Sequence, residues 1–348
     1  MKKALRQTLF ALPFIASSLG CAGGGQRALG VMAGTINDPS NRTLRREIMK
    51  EGLATFCHEV TVHDAPLRLV DDSPAIGRFF PTTCSNRSTE DDLISVRLEG
   101  VGYAWTNVTK KSTFISSATV DYDADFRMSG STMYVYFRTK RISKDTFQTR
   151  VIEQSMANIV NQFSQMGDRF GQQLLSQKLQ EGFTVIRDPE GQIDFSLGFV
   201  EIGKRPAHPF KSGEGRLPYE NTRVEIHQNQ RDVIGPIEIT EDNAAIFLQA
   251  RVDGGFPIDV FLLAKDPGEA LVKGIIEQPS ALPLNGAPIF SEVVNSGPEY
   301  RKRVPVNKGR YYLVFDNTPS AGQVAPPMGA VDDRAAVVSY LVELGKAD

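Results

Sequence analysis

The chain is poor in the residues that most often announce a function. Four histidines and three cysteines stand among 348 residues, and 39 lysines and arginines offset 41 aspartates and glutamates for a net charge of −2. Near-neutrality excludes the basic footprint of a nucleic-acid binder and the strongly acidic composition of a disordered chain. Past the first few residues no apolar run approaches the ~18 residues that cross a bilayer as a helix, so no later membrane span is expected. A Gly-x-Ser-x-Gly elbow and a phosphate-cradling glycine loop are both missing.

The start of the chain is more informative. Lys2, Lys3 and Arg6 precede the apolar Leu9–Ile15, and small residues follow at Ala16, Ser17, Ser18 and Gly20. A basic start, a short apolar core and small residues are the layout of an export signal. With Cys21 after Gly20, the run "FIASSLGCAGGG" resembles a bacterial lipoprotein signal, which implies that Cys21 is acylated and becomes the new N-terminus. Ser18 departs from that pattern, which prefers a branched apolar residue three places before the cysteine. An ordinary secretory signal cut near Ser18, Gly20 or Ala22 would instead leave Cys21 lost or free. Ala22 stands where some bacteria place the aspartate of inner-membrane retention, so the resemblance implies an outer-membrane lipoprotein of the cell envelope.

If Cys21 carries lipid, Cys57 and Cys84 remain as a pair. An oxidising compartment allows them to join. The bridge would staple the end of the first helix to the next segment and contribute about 3 kcal/mol. Two buried thiols are the alternative.

Organisation follows from pattern and punctuation. The expected division is a signal peptide at 1–20, a Gly- and Ala-rich tether at 21–38, an α+β domain at 39–202, a linker at 203–222 and a β-sandwich domain at 223–348. Leu44, Ile48, Met49, Leu53 and Phe56 form a helical stripe over 41–56. In "TVDYDADFRM", Val120, Tyr122, Ala124, Phe126 and Met128 alternate with Asp121, Asp123 and Asp125, which is a strand with one apolar and one acidic face. Ser129-Gly130 turns the chain into a second strand, "STMYVYFRTK". Thr149 to Glu181 is predicted as one long amphipathic helix ended by Gly182. Gly167 and Gly171 on it would admit a close neighbour. A further hairpin, "FTVI" to "IDFSLGFVEI", follows. The expected fold is thus an antiparallel sheet packed on one long helix, then a jelly-roll-like sandwich. Its strands are predicted at 224–227, 234–239, 244–252, 258–264, 271–276, 300–306 and 310–315, closed by a terminal helix over 333–344.

The order hairpin, long helix, hairpin over residues 93–202, with a helix end reading "LQEGFTV", resembles the tubular lipid-binding (TULIP) superfamily. That resemblance implies a long helix lying in a curved sheet with an acyl chain between them, and brings no catalytic residue. It points to Met156, Phe163 and Phe170 on the helix and Phe195, Leu197 and Phe199 on the strand as the ligand-binding set, at about 0.8 kcal/mol per buried methylene. Ordinary core packing would produce the same pattern.

Catalytic candidates are scarce. "CHEVTVHD" gathers Cys57, His58, Glu59, His63 and Asp64, but a zinc-hydrolase helix needs histidines four apart. These are five apart, and Val-Thr-Val favours a strand, which would point them to opposite faces. "DYDADF" lacks the glycine and the closing acid of a calcium loop. His208 and His227 stand alone. No catalytic residue, metal or cofactor is therefore expected. The expected function is non-catalytic binding of a lipid or other apolar ligand by a membrane-anchored protein, with a structural or adhesive envelope protein, binding a protein partner through the sandwich, as the rival.

Overall fold

The computed structural model describes residues 30–68, 73–89, 93–106, 110–152, 160–189, 192–254, 256–278, 281, 283–324 and 335–347. Cys21, the signal and Met156 lie outside them. Strand accounts for 54% of the structure and helix for 19%, so the class is mostly β and the expected α+β architecture is corrected.

Seven antiparallel strands run in sequence order: β1 (Ala65–Leu67), β2 (Gly77–Ser88), β3 (Ile94–Thr106), β4 (Lys110–Ser129), β5 (Thr132–Ile152), β6 (Phe183–Arg187) and β7 (Ile193–Leu197). The β4–β5 pair is long and carries three register shifts, at Thr113/Phe114, Thr119/Val120 and Asp121/Tyr122. Such irregularities sharpen the twist, and the sheet curves into a half-barrel. The acidic face of β4 is answered locally: Arg141 Nε donates to Asp121 at 2.8 Å, Lys140 pairs with Asp123 at 3.3 Å, and Arg45 pairs with Asp125.

The helices depart from expectation in a specific way. After the short α1 (Ala33–Asn37), α2 runs Arg42–Thr61, and α3 runs Val160–Glu181. The predicted helix from Thr149 begins too early, because β5 continues to Ile152, pairing Thr149 with Phe114 and Val151 with Thr113. No sheet packs on α3 as on a central rod: its contacts concentrate on β5 alone. Gly171 lies against the Phe147 ring with no room for a Cβ, and Ser176 bonds to Asp145. The apolar side of the sheet is covered in part by α3, whose Leu179 packs on its cluster, and in part by α2. Its Met49, Leu53 and Phe56 join Ile94, Val96, Val120, Tyr122, Phe137 and Phe183 in one cluster. Gly182 ends α3 with φ +70°, a conformation that only glycine adopts freely.

The remaining chain forms two four-stranded antiparallel sheets. One has the order β13 (Tyr300–Val306), β10 (Ala244–Asp253), β15 (Ala336–Lys346), β8 (Leu217–Ile226). The other has β12 (Phe290–Val294), β11 (Ile258–Ala264), β14 (Gly309–Asn317), β9 (Gln230–Ile239). They face each other across a common apolar core that includes Ile246, Leu248, Val260, Leu262, Leu313 and Tyr340.

Two further expectations are corrected here. The terminal helix over 333–344 is strand β15, bonded to β10 and β8 on its two sides. "AVVSYLVEL" is apolar at nearly every position, and such a run fits a strand buried on both faces as readily as a helix; its β-branched valines favour the strand. Conversely, the strand expected at 271–276 belongs to helix α4 (Lys265–Glu277). Pro267 suits its first turn, and Lys265–Glu269 and Lys273–Glu277 are spaced four apart on its surface.

α4 covers the outer face of the β12-β11-β14-β9 sheet. Leu271, Ile275 and Ile276 pack on Val233, Phe261, Leu263, Tyr312 and Val314, and Phe80 and Tyr103 of the first sheet complete the cluster. Gly268 abuts the Tyr312 ring, again without space for a Cβ. The run Val260-Phe261-Leu262-Leu263 is buried at every position, as a strand covered on both faces must be.

Candidate functional site

Three arrangements of side chains stand out: an aromatic rim at the free edge of the first sheet, a charged lock between the sheets, and a histidine latch on the linker. The rim begins in the core. Phe56 lies 5.7 Å from Phe137, Phe137 stacks on Phe183 at 4.3 Å, and Phe183 meets Phe195 at 5.1 Å, centroid to centroid. Phe195 is on β7, the terminal strand, and is 59% exposed. Just beyond, Phe199 is 53% exposed, 6.2 Å from Tyr136 and under the Arg138 guanidinium at 5.6 Å. Ile193 and Ile202 are exposed too.

Of the ligand set expected from sequence, Phe195 and Phe199 are both exposed at this rim, on opposite faces of the sheet edge. Leu197 is the residue of β7 that pairs with Phe183. Phe163 and Phe170 fall within α3, but their side chains, like that of Leu197, lie outside the described residues, as does the whole of Met156.

The lock centres on Arg78 of β2, which is wholly buried. Its Nε and Nη2 donate to Asp232 of β9 at 2.9 and 2.6 Å. Nη1 donates to Glu220 of β8 at 2.9 Å and pairs with Asp64 at 3.0 Å, while Nη2 also reaches the Tyr340 hydroxyl at 2.8 Å. Five contacts answer the five N–H groups of a guanidinium. Tyr340 in turn donates to Glu220 at 2.6 Å, and Tyr103 donates to Asp232 at 2.9 Å while accepting from the Val233 amide at 3.1 Å. Burial drives the Asp64 carboxyl well above the usual carboxylate range, against the pull of Arg78. It likewise raises the Tyr103 and Tyr340 hydroxyls, keeping both as neutral donors. The cluster joins the first sheet to the sandwich.

Neighbouring polar groups are similarly engaged. His227 stacks on Trp105 at 3.3 Å and approaches Glu225 at 2.8 Å. Arg231 donates to Asp316 at 2.9 Å, and burial pushes the Asp316 carboxyl up to about 6 despite that partner. A cleft of ≈ 170 Å³ lies beside them, lined by Tyr103, Lys111, Gln230, Arg231, Leu271 and Ile275 among others. This is below the roughly 300–1,000 Å³ of small-molecule sites.

The latch fixes the linker. His208 Nε2 lies 3.1 Å from Asp194 Oδ1, and its Nδ1 lies 3.1 Å from the Asn221 carbonyl. Arg205 adds pairs to Asp188 and Asp194 at 3.1 and 3.2 Å. The bond to Asp194 raises the His208 pKa, against burial and Arg205. A raised folded pKa means that the folded chain holds the proton more tightly. The stabilisation is therefore complete below the usual histidine value of 6.5 and is lost as pH rises through the raised one. Cleavage of the 203–216 segment before β8 by a protease is expected to quicken between about pH 5.5 and about pH 8, and His208→Ala to be fast at both. A wild-type rate independent of pH would show that the latch does not titrate.

The histidine pair singled out in the sequence does not converge. α2 extends to Thr61, correcting the strand expected at Val-Thr-Val: Thr61 and Val62 close the last turn on Cys57 and His58. His58 is exposed, 3.8 Å from Glu238, whereas the His63 ring lies 4.5 Å from Tyr219, and burial lowers its pKa. Among the described residues no three His, Cys, Asp or Glu are grouped to hold a metal ion. Cys57 and Cys84 do join, with Cα atoms 5.2 Å apart, and the bridge ties α2 to β2. Sequence reasoning missed the lock, although β11 and β14 signalled it: runs as apolar as "VFLL" and "YYLVF" need cover on both faces, hence a further layer across which charges meet.

No family model matches the chain, and no curated sequence does. Among solved structures, the exo-β-1,3-galactanase of Phanerochaete chrysosporium with galactose is similar over 77% of this chain and 78% of its own, at 7% identity and a TM-score of 0.19. A variant of that enzyme with β-1,3-galactotriose is similar over 76% and 82%, at the same identity and score. Values this low transfer neither fold nor activity.

Proposed function

We propose that this is an exported lipoprotein, anchored in the cell envelope through Cys21, that binds a lipid or other apolar ligand at the aromatic rim of β7. The observation that carries the reading is the unbroken series of rings from Phe56 to Phe195, which brings the core's apolar surface out to solvent. Exposed contiguous apolar surface of this kind marks an interaction site. The Cys57–Cys84 disulfide supports export, since such bonds persist in oxidising compartments. An apolar chain laid along Phe195 would extend the core at about 0.8 kcal/mol per methylene removed from water, and Phe199 flanks the same edge.

The test is native mass spectrometry of the mature chain with a titrated fatty acid. Phe195→Ser with Phe199→Ser is expected to weaken uptake by about tenfold or more, the equivalent of about 1.4 kcal/mol, without loss of folding, because both rings are more than half exposed. No uptake by the unsubstituted chain would end the reading.

A further inference from the structure

The aromatic rim lies at the same end of the sheet as the point where the N-terminal segment joins it. Gly30 packs on Ser131, in the turn between β4 and β5, so closely that a Cβ would not fit. Asn37 then exchanges two hydrogen bonds with the Met128 backbone, at 2.9 and 2.8 Å, just before that turn. The register carries the position across the sheet: Met133 pairs with Arg187, and Arg187 with Ile193. Two strand spacings put Ile193 about 10 Å from Met133. A second link reaches the same place, because the Tyr134 hydroxyl accepts from the Gly203 amide at 3.0 Å and donates to the Lys204 carbonyl at 3.3 Å. Those bonds hold the turn that presents Ile202.

The four exposed residues thus surround one edge. Ile193 and Phe195 alternate onto the face that α2 covers, while Phe199 and Ile202 cross the other face above Tyr136 and Tyr134. Ile193, Phe195, Phe199 and Ile202 are 46, 59, 53 and 52% exposed. From Cys21 to Gly30 the chain has nine steps, at most roughly 30 Å even when fully extended. A lipid on Cys21 would therefore hold this end of the sheet within reach of the bilayer.

We infer that the rim is a second membrane contact, and that the apolar partner is the surface of the bilayer to which the chain is tethered. The inference rests on the lipoprotein reading above and names the ligand's source. Tethering makes the contact intramolecular, so a few apolar side chains suffice to orient the protein. Two of the nearby cations are matched: Lys204 pairs with Glu201 at 2.7 Å, and Arg205 with Asp188 and Asp194. An aromatic ring beneath a guanidinium, as Phe199 lies beneath Arg138, suits the boundary between headgroups and acyl chains.

The test places tryptophan at the rim. Phe195→Trp and, as a control, Ile289→Trp, exposed on the sandwich, are made in the full mature chain bearing its own N-terminus. Each is reconstituted in phosphatidylcholine vesicles containing brominated acyl chains; Trp105 is buried and gives a constant background. Quenching of the Phe195→Trp signal to less than half, with the Ile289→Trp signal unchanged, is the expected result. Equal quenching at both positions, or none at either, overturns the inference. Fatty-acid uptake without quenching would leave the apolar-ligand reading standing and remove only the membrane contact. An N-terminal peptide mass without acyl groups would remove the tether, and this inference with it.

Discussion

Arg78→Met is expected to destabilise the protein by about 3–5 kcal/mol, the cost of leaving buried charges without their partner. Asp64, Glu220 and Asp232 would face one another with no cation at their centre, in a site where Arg78 is wholly buried. Lysine would not rescue the site, since an ammonium lacks the planar fork that engages both oxygens of Asp232. The comparison is Arg97→Met: Arg97 also pairs with a carboxylate, Glu99 at 2.5 Å, but is 64% exposed, and its loss should cost within about 0.5 kcal/mol. Urea unfolding measures both. Trp105 adds a local readout, because its stack on His227 spans the same junction, so its emission should shift to the red in Arg78→Met. Equal unfolding midpoints for the two variants would show that the cluster does not hold the sheets together.

Opening the Cys57–Cys84 bridge is expected to cost about 3–4 kcal/mol. The cysteines are 27 residues apart, and closing a loop of that length removes roughly this much conformational freedom from the unfolded chain. The consequence is also local. The bridge holds α2 over the sheet, where Phe56 meets Phe137 and Phe183. Asn86 Nδ2, which donates to the Leu53 carbonyl at 3.0 Å, is a further tie there. Reductant should therefore lower the urea midpoint of the unsubstituted chain. It should leave Cys57→Ala/Cys84→Ala unchanged at an already lowered value. A chain indifferent to reductant would mean that packing alone retains α2.

Much of the fold was legible where a segment's partners lie next to it in sequence. "TVDYDADFRM", Ser129-Gly130 and "STMYVYFRTK" announced β4 and β5, because alternation and a turn residue are local signals. The first helix, the end of α3 at Gly182 and six of the seven strands expected in the C-terminal half coincide with observed elements. Two of the misreadings share one cause. Residues 271–276 and 336–346 are apolar without a decisive period, so their own pattern cannot choose between helix and strand. The choice was made by neighbours: β10 and β8 on both sides of β15, and the Phe261–Tyr312 surface beneath α4. At the candidate site Phe195 and Phe199 were singled out by alternation together with the resemblance to the tubular lipid-binding superfamily, and alternation does not say which apolar face is covered.

By itself the sequence determined the local pieces: the hairpins, the punctuation by glycine, the pair of cysteines that could meet, and the amphipathic stripe of α2. Each depends on interactions within a few residues or on counting. Only the tertiary structure decided that α2 joins α3 over the sheet, that the buried Arg78 joins residues 64, 220, 232 and 340, and that β7 ends the sheet with Phe195 in solvent. Those outcomes depend on which distant surfaces compete for the same apolar area and the same charge. That competition is settled when the whole chain packs.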